Sequence, residues 1–411
     1  MKNKIIIVGV GPGEKCFLTF RAEEIIKNSR CVVAAERHAV LASGQCNVIL
    51  LKNFNATLDK LAAELLLGDV AVLVSGDPGI YSLLQKLKKR FPQEKIEVIP
   101  GISSLQMIAA AANETWNETV ILSGHGREIR DSKILDTVDK NRSTAFFCGN
   151  EKNPAALCAL LAENDLDDTE VIIGENLSYP HQRISIGKPS ELAKGDYDPL
   201  AIIMVINASP AAKISTRPRD KDFIRGEVPM TREEVRSLII DKLELTSDAV
   251  VWDIGAGTGS VTVAAALASP ESEVCAVEHN HEAASLIKAN IKKFRLFNVT
   301  LHEGKALEKM DSLPYPTHVF IGGSGSELKD LLKKISALGS GIRVVVSCVT
   351  LKTSAEVFEI FSNEGYSDFD AVQINISRTK KMGASVIMSA QNPITIMSAQ
   401  TADNINRKEV F

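Results

Sequence analysis

The stretch VVWDIGAGTGS, residues 250–260, decides the fold of the second half of the chain: a strand-length apolar run ends in glycines at alternate positions, Gly255, Gly257 and Gly259. Apolar on both faces, VVWDI reads as a buried central strand of a parallel sheet. Glycine at its end permits backbone angles closed to other residues and lets a ligand lie against the main chain. The helix expected from Ser260 to Ala268 then turns free N–H groups toward a polar or anionic group. A dinucleotide loop reads GxGxxG, and the place of its third glycine holds Ser260, which argues against NAD. The next strand, EVCAVEH, ends on Glu278, roughly the 20 residues onward at which an acid in such folds reaches a ribose. A carboxylate can accept from both ribose hydroxyls, although a strand-end acid taken alone is ordinarily just solvated. Asp253 reads equally well as a turn-closing residue and as a cofactor contact.

The pattern extends outward from this stretch. Helix TREEVRSLIIDKL precedes it; helix HEAASLIKANIKKF, strands NVTLHEG, THVFIGG and IRVVVSCV, and helix SELKDLLKKIS follow, giving an α/β series over residues 227–397. DFDAVQINIS and ASVIMSA, joined by the basic RTKKMG, read as a hairpin closing the sheet, and SAQTADNINRKEVF, 398–411, as a frayed tail. Upstream, residues 207–226 are polar, carry Pro210 and Pro218 and lack a sustained period, the marks of a linker. Before them, over residues 1–206, KIIIVGV, RCVVAA, VAVLVSG, KIEVIPG, TVILSG, TAFFCG, EVIIGE and PLAIIMVIN alternate with helix-length segments, an α/β domain with a largely parallel sheet. Its first loop, GVGPGE, is not a second nucleotide loop of the same kind: Pro12 removes an N–H and Glu14 occupies the place of the third dinucleotide glycine.

A chain of 411 residues is too long for one core and calls for two or three domains. A net charge of -4 gives no general attraction to nucleic acid or anionic membranes. The seven cysteines contain no CxxC, so neither a metal site nor a disulfide framework is expected, and a reducing cytoplasm is. The apolar run at the N-terminus is a first strand rather than a signal, and no apolar segment approaches the roughly 20 residues that span a bilayer.

Residues 227–397 resemble the seven-stranded S-adenosylmethionine (SAM) dependent methyltransferases, and within them the decarboxylating precorrin methyltransferases of cobalamin biosynthesis, on VPMTREEVR, DIGAGTGSVTVAAA, FIGGSGSEL and the late QNP. The resemblance implies that Thr231 helps close the cofactor site, that Gly255, Ala256, Gly257, Thr258 and Gly259 hold the methionine end, that Glu278 takes the ribose and that Ala306 lies by the adenine. Ala256 stands where the family commonly has Cys, and Lys305 where it usually has Asp.

Residues 3–206 resemble the tetrapyrrole (precorrin) methylases on LTFRAEEII, AAERH, VLVSGDPGIYSLL, VIPGISSLQMIAA, SGHGR, NPAALCALL and ENLSYPHQRI. That resemblance implies two α/β lobes with SAM folded between them, contacts from Gly76, Asp77, Ile80, Ser104, Leu200 and Ala201, and Gly11 and Gly13 on the substrate side.

Taken together, the resemblances imply one SAM per domain, methylation of a precorrin at C-5 by the first domain, and methylation at C-15 with decarboxylation of the C-12 acetate by the second. The ring is metal-free or cobalt-bound. They also imply a homo-oligomer. Arg37, His38, His125, Arg127, His181 and Arg183 fall at strand ends or in loops and suit a ring carrying many carboxylates. Gly322, Gly323 and Gly325 offer main-chain donors to that ring. Asp77, His125 and Ser324 are the candidates for catalytic contact. Transfer from a sulfonium needs no metal, and positioning supplies much of its rate. The rivals are an RNA or protein methyltransferase, the RNA reading disfavoured by weak basicity and few aromatic residues, and a non-catalytic scaffold in which one domain only holds the intermediate.

Overall fold

The computed structural model describes residues 3–42, 46–124, 128–149, 151–198, 201–212, 214–323, 325, 327–363 and 365–402. The chain divides into two compact units, residues 1–211 and 212–411. No helix among the described residues is long and apolar enough to cross a membrane.

The first unit holds two sheets. In one, β1 (Lys4–Gly9), β2 (Cys31–Ala34), β3 (Asn47–Leu50), β4 (Val70–Val74) and β5 (Lys95–Ile99) run parallel in the order β3-β2-β4-β1-β5. The IIIV of β1 and the whole of β4 are buried because helices cover both faces of a parallel sheet. The second contains β6 (Val120–Ser123), β7 (Ser143–Phe147), β8 (Glu170–Glu175), β9 (Arg183–Gly187) and β10 (Ile202–Ile206) in the order β6-β7-β10-β8-β9. There only β6 and β7 are parallel, so the largely parallel arrangement expected of this half fails in its second sheet. The connection from β8 to β9 is too short for a crossover helix and forces an antiparallel return. Helix starts are fixed by side chains that the sequence announces: Thr19, Asn53 and Asn153 each accept an N–H three residues on, and Ser103 forms a capping box with Gln106, each worth about 1 kcal/mol.

The expected linker is packed at both ends. Asn207 donates to the carbonyls of Val138 and Asp139, and Ala211 N–H to Asp139 O, within the first unit. Phe223 is buried in the second unit, where Ile224 exchanges two hydrogen bonds with the side chain of Asn290.

In the second unit β11 (Val250–Ile254), β12 (Glu273–Glu278), β13 (Val299–Glu303), β14 (His318–Ile321) and β15 (Arg343–Cys348) run parallel. β16 (Tyr366–Ile374), β17 (Ser377–Met382), β18 (Ser385–Ala390) and β19 (Ile394–Thr401) follow. The seven-stranded sheet is ordered β13-β12-β11-β14-β15-β19-β16, with β19 antiparallel to both neighbours.

Two expectations are corrected here. The run DFDAVQINIS pairs with β19 as far as Ile374, and it is the expected turn RTKKM, with Ser377, that pairs with ASVIMSA, so that β17 and β18 form a separate two-stranded ribbon. Residues 398–401 do not fray; they lie inside the sheet, with Ser398, Ala399 and Thr401 buried and Thr401 bonded to Ile342 through both its amide and its hydroxyl. Pairing on both edges outweighs the polar composition of that segment.

Candidate active site

Three backbone turns meet at the carboxyl edge of the second unit's sheet. β11 ends in Gly255 at φ +70°, and a Cβ there would stand 1.9 Å from the carbonyl oxygen of Gly323. Gly322 N–H donates to Ile254 O at 3.0 Å and locks the two turns together. Gly255 and Ala256 both donate to Val277 O, and Gly259, at φ +76°, donates to Ala256 O as helix Ser260–Ala268 begins. Gly257 N–H donates to Oε2 of Glu278 and Asn280 N–H to its Oε1, each at 2.8 Å, and Glu278 is 5% exposed.

The glycine amides are therefore committed within the protein, and the loop offers a bare surface rather than free donors. The polar grip falls to Glu278, whose Oε2 keeps a lone pair for a further hydroxyl while Oε1 faces both Asn280 N–H and His279 Nδ1, and to Thr258, buried with its Oγ1 unpartnered among the described residues.

This surface walls a cavity of about 670 Å³, within the usual range for a cofactor-sized ligand. Met230 and Thr231 also line it, together with the exposed Val349 and Asn392. The strap carrying Thr231 is held by Arg236, a residue the sequence analysis passed over. Only 2% exposed, Arg236 donates to Thr231 O at 2.6 Å, Pro218 O at 2.7 Å and Asp220 Oδ1 at 3.2 Å, and stacks over the Phe223 ring at 4.6 Å. In the charged run TREEVR an arginine reads as a solvated face; the i, i+3 spacing from Arg236 to Ile239, which buries both, was the available signal.

Asp253 sits beneath the loop, bonded to the Thr262 hydroxyl, with Oδ1 unpartnered among the described residues. Burial pushes its carboxyl up to about 7, and Glu278 adds to the rise. Ala306 opens the short helix Ala306–Lys309 on the cavity wall, while Lys305 is exposed. Gly322, Gly323 and Gly325 are exposed on the cavity's edge. An adenosyl group fits these residues: the cradle is one that a Cβ would fill, a carboxylate with spare acceptor capacity faces it, and Thr258 brings a buried hydroxyl without a partner among the described residues.

In the first unit the corresponding edge is also made of backbone. Gly76, at φ +63°, donates to Gly11 O at 2.8 Å, and Cβ atoms on Gly9 or Gly101 would collide with the main chain of the other or of Gly76. Asp77 spans two turns, its Oδ1 accepting from Gly79 N–H at 2.7 Å and its Oδ2 from Gly101 N–H at 3.1 Å. That use of both oxygens is a tie between the SGDP and PGISS segments, a different duty from the catalytic one expected. Ile80 packs with Leu105 and Ile108, Ser104 opens helix Ser104–Ala111, and buried Ala201 accepts from Cys148 N–H. Gly13 lies under the Tyr179 ring, which stacks on His181.

Two of the expected substrate contacts are corrected. His38 is buried and bonded to Arg37 and Ser75, so it touches its neighbours instead of a ligand. Arg183 is paired through two nitrogens with buried Glu175 and also donates to Asp196 O. Expected contacts His125, Arg127, Leu200 and Ser324 lie outside the described residues.

The strand order, the glycine cradle and the acid ending β12 place the second unit in the seven-stranded methyltransferase class. Residues 4–193 match the family of tetrapyrrole (corrin/porphyrin) methylases, and residues 222–401 match the precorrin methyltransferase domain. Over 401 residues, 95% of either chain, the protein is 25% identical to the precorrin-6Y C(5,15)-methyltransferase [decarboxylating] of a Sinorhizobium species. Its second half is 40% identical over 184 residues, 44% of this chain and 93% of the relative, to the "probable cobalt-precorrin-6B C(15)-methyltransferase (decarboxylating)" of Pyrobaculum calidifontis. Its first half is 33% identical over 204 residues, 48% of this chain and 95% of the relative, to the "probable cobalt-precorrin-7 C(5)-methyltransferase" of Methanocaldococcus jannaschii. The chain belongs to the precorrin methyltransferases, with a tetrapyrrole methylase unit followed by a precorrin methyltransferase unit.

Proposed function

We propose that the chain is a bifunctional enzyme of cobalamin biosynthesis that methylates a precorrin at C-5 with its first unit and at C-15 with its second, removing the C-12 acetate carboxyl as carbon dioxide, and that each unit holds its own SAM. The observation that carries this reading is the pair of glycine-lined edges, Gly9–Gly76–Gly101 and Gly255–Gly323, each at the carboxyl ends of parallel strands within its own family match. SAM supplies a methyl group on a sulfonium, whose thioether departs readily.

The protein's part is placement. Glu278 orients the ribose, the Gly255–Gly323 contact lets the donor lie against bare backbone, and the strap fixed by Arg236 covers it, so that the reacting carbon is presented in line and away from water. In the first unit Asp77 holds the two turns that line the donor, and Gly11 and Gly13 face the macrocycle. The electrons left by decarboxylation enter the conjugated ring of the substrate.

The test is mass spectrometry of products made by the full chain from metal-free and cobalt-bound precursors, with calorimetric titration of SAM. Two methyl gains with loss of carbon dioxide, and two donors bound per chain, are expected. Methyl transfer to RNA with none to either macrocycle refutes the reading.

A further inference from the structure

Arg37 and His38 lie in the short helix Glu36–Ala39 that follows β2, and Ser75 directly follows β4. Because β2 and β4 are parallel neighbours, the three residues meet at the carboxyl edge of the sheet, where ligands of such folds bind. Arg37 Nε donates to His38 Nε2 at 3.2 Å and Arg37 Nη2 to Ser75 Oγ at 2.7 Å, while His38 Nε2 and Ser75 Oγ stand 2.8 Å apart. The ring of contacts closes when Nε2 is an acceptor and the Ser75 hydroxyl donates to it. A neutral His38 with its proton on Nδ1 meets that condition: burial, helped by the charge of Arg37, lowers it to about 4, and the Arg37 Nε donor calls for an unprotonated Nε2.

The orientation matters because Arg37 is exposed. A surface arginine ordinarily samples many rotamers, and fixing one has an entropic cost. Here a buried imidazole and a hydroxyl of the SGDP turn fix the Nε and Nη2 side of the guanidinium, while Nη1 has no partner among the described residues. The outward edge of the fork is left at the geometry that a carboxylate fits with two parallel hydrogen bonds.

We propose that His38 and Ser75 are positioning residues that aim Arg37 at a carboxylate side chain of the macrocycle bound by the first unit. The inference rests on the reading of that unit as the C-5 methyltransferase and assigns its substrate-orienting contact.

Steady-state C-5 methylation by the full chain, with macrocycle varied at saturating SAM, tests it in Arg37→Ala, His38→Phe, His38→Gln, Ser75→Ala and the double variant Arg37→Ala/His38→Phe. Loss of a charge-assisted pair is expected to raise macrocycle KM about tenfold or more in Arg37→Ala. His38→Phe raises it comparably, with kcat and the KM for SAM little changed. His38→Gln, whose amide oxygen can accept in place of Nε2, recovers most of the loss. The double variant is no worse than Arg37→Ala, because the two residues act through one contact.

Thermal melting of each variant reports whether the first unit is folded, and Ser75→Ala carries the same KM test should His38→Phe not fold. An unchanged KM with lowered kcat in His38→Phe, or multiplicative losses in the double variant, overturns the inference alone. Absence of C-5 transfer by the wild type overturns the functional reading and this inference with it.

Discussion

Replacing Gly255 by alanine tests the central geometry of the second unit. The added Cβ would stand 1.9 Å from Gly323 O and 2.7 Å from its carbonyl carbon. That is about 1.5 Å short of a comfortable separation of roughly 3.5 Å. Both colliding partners are main chain, so no rotamer relieves the clash, and the hydrogen bond from Gly322 N–H to Ile254 O resists separation of the turns. The residue also sits at φ +70°, which costs a Cβ-bearing residue about 1 kcal/mol. Overpacking adds roughly 1–3 kcal/mol, for a total of about 3 kcal/mol.

For a unit of this size that corresponds to a fall in Tm of about 6–12 °C, accompanied by loss of C-15 methylation because the donor's wall is displaced. Gly257→Ala and Gly325→Ala are the controls. Both have positive φ, but among the described residues a Cβ on Gly257 meets nothing nearer than Pro229 O at 3.6 Å, and one on Gly325 meets nothing within 4 Å. They should lose only about 1 kcal/mol, or roughly 2–4 °C. Calorimetry of the full chain with a C-15 methylation assay reads the ranking. If Gly255→Ala melts with Gly257→Ala and binds SAM as the wild type does, the close backbone contact is not what shapes the site.

Arg236→Met should cost about 3 kcal/mol, since it leaves the carbonyls of Thr231 and Pro218 without their donor and Asp220 with Arg378, 3.6 Å away, as its cation. It should also raise the KM for SAM in the C-15 reaction, and a variant with wild-type Tm and KM would show that the strap is held by other means. Two buried groups, His38 and Asp253, predict opposite responses to pH. His38, lowered from 6.5 to about 4, contributes stability that is present above pH 6.5 and lost as pH falls toward 4, up to about 3 kcal/mol. Asp253, raised from 3.8 to about 7, contributes stability present below pH 4 and lost as pH rises through 7. Asp253→Asn should therefore melt above the wild type at pH 8 and with it near pH 4, whereas His38→Gln should flatten the acid limb; melting curves across pH that keep their wild-type shape would contradict both assignments.

The part of the site built from glycine was legible because glycine has few other reasons to recur at that spacing: Gly255, Gly257 and Gly259 all take positive φ, and the acid on the next strand does reach the loop. The local period also identified the parallel strands, since a run buried on both faces looks alike in any order. Strand order is a different kind of fact. Nothing local in ITIMSAQT distinguishes a frayed segment from an interior strand, because its burial is decided by β15 and β16 on either side. Edge strands escaped for the opposite reason: NVIL and RISIG are short and half-exposed and carry little pattern.

Charged and imidazole side chains were read least well. Arg236 and His38 look like surface residues from their neighbours in sequence, and only residues distant along the chain, Pro218 and Ser75, reveal that they are buried struts. Arg183 looked available until Glu175, eight positions away across a hairpin, was seen to occupy it.

The interior placement of β19 has a consequence for biosynthesis on the ribosome. Strands β11 to β15 can assemble as they emerge, but β15 then presents a bare lateral edge, and β16 has no seat at all until residues through Thr401 have cleared the exit tunnel. During that interval the nascent sheet exposes a template for strand addition by neighbouring chains. Completion of this unit is thus a late zippering step that waits on β19, and slowing translation across residues 351–393 would prolong the vulnerable window rather than aid folding.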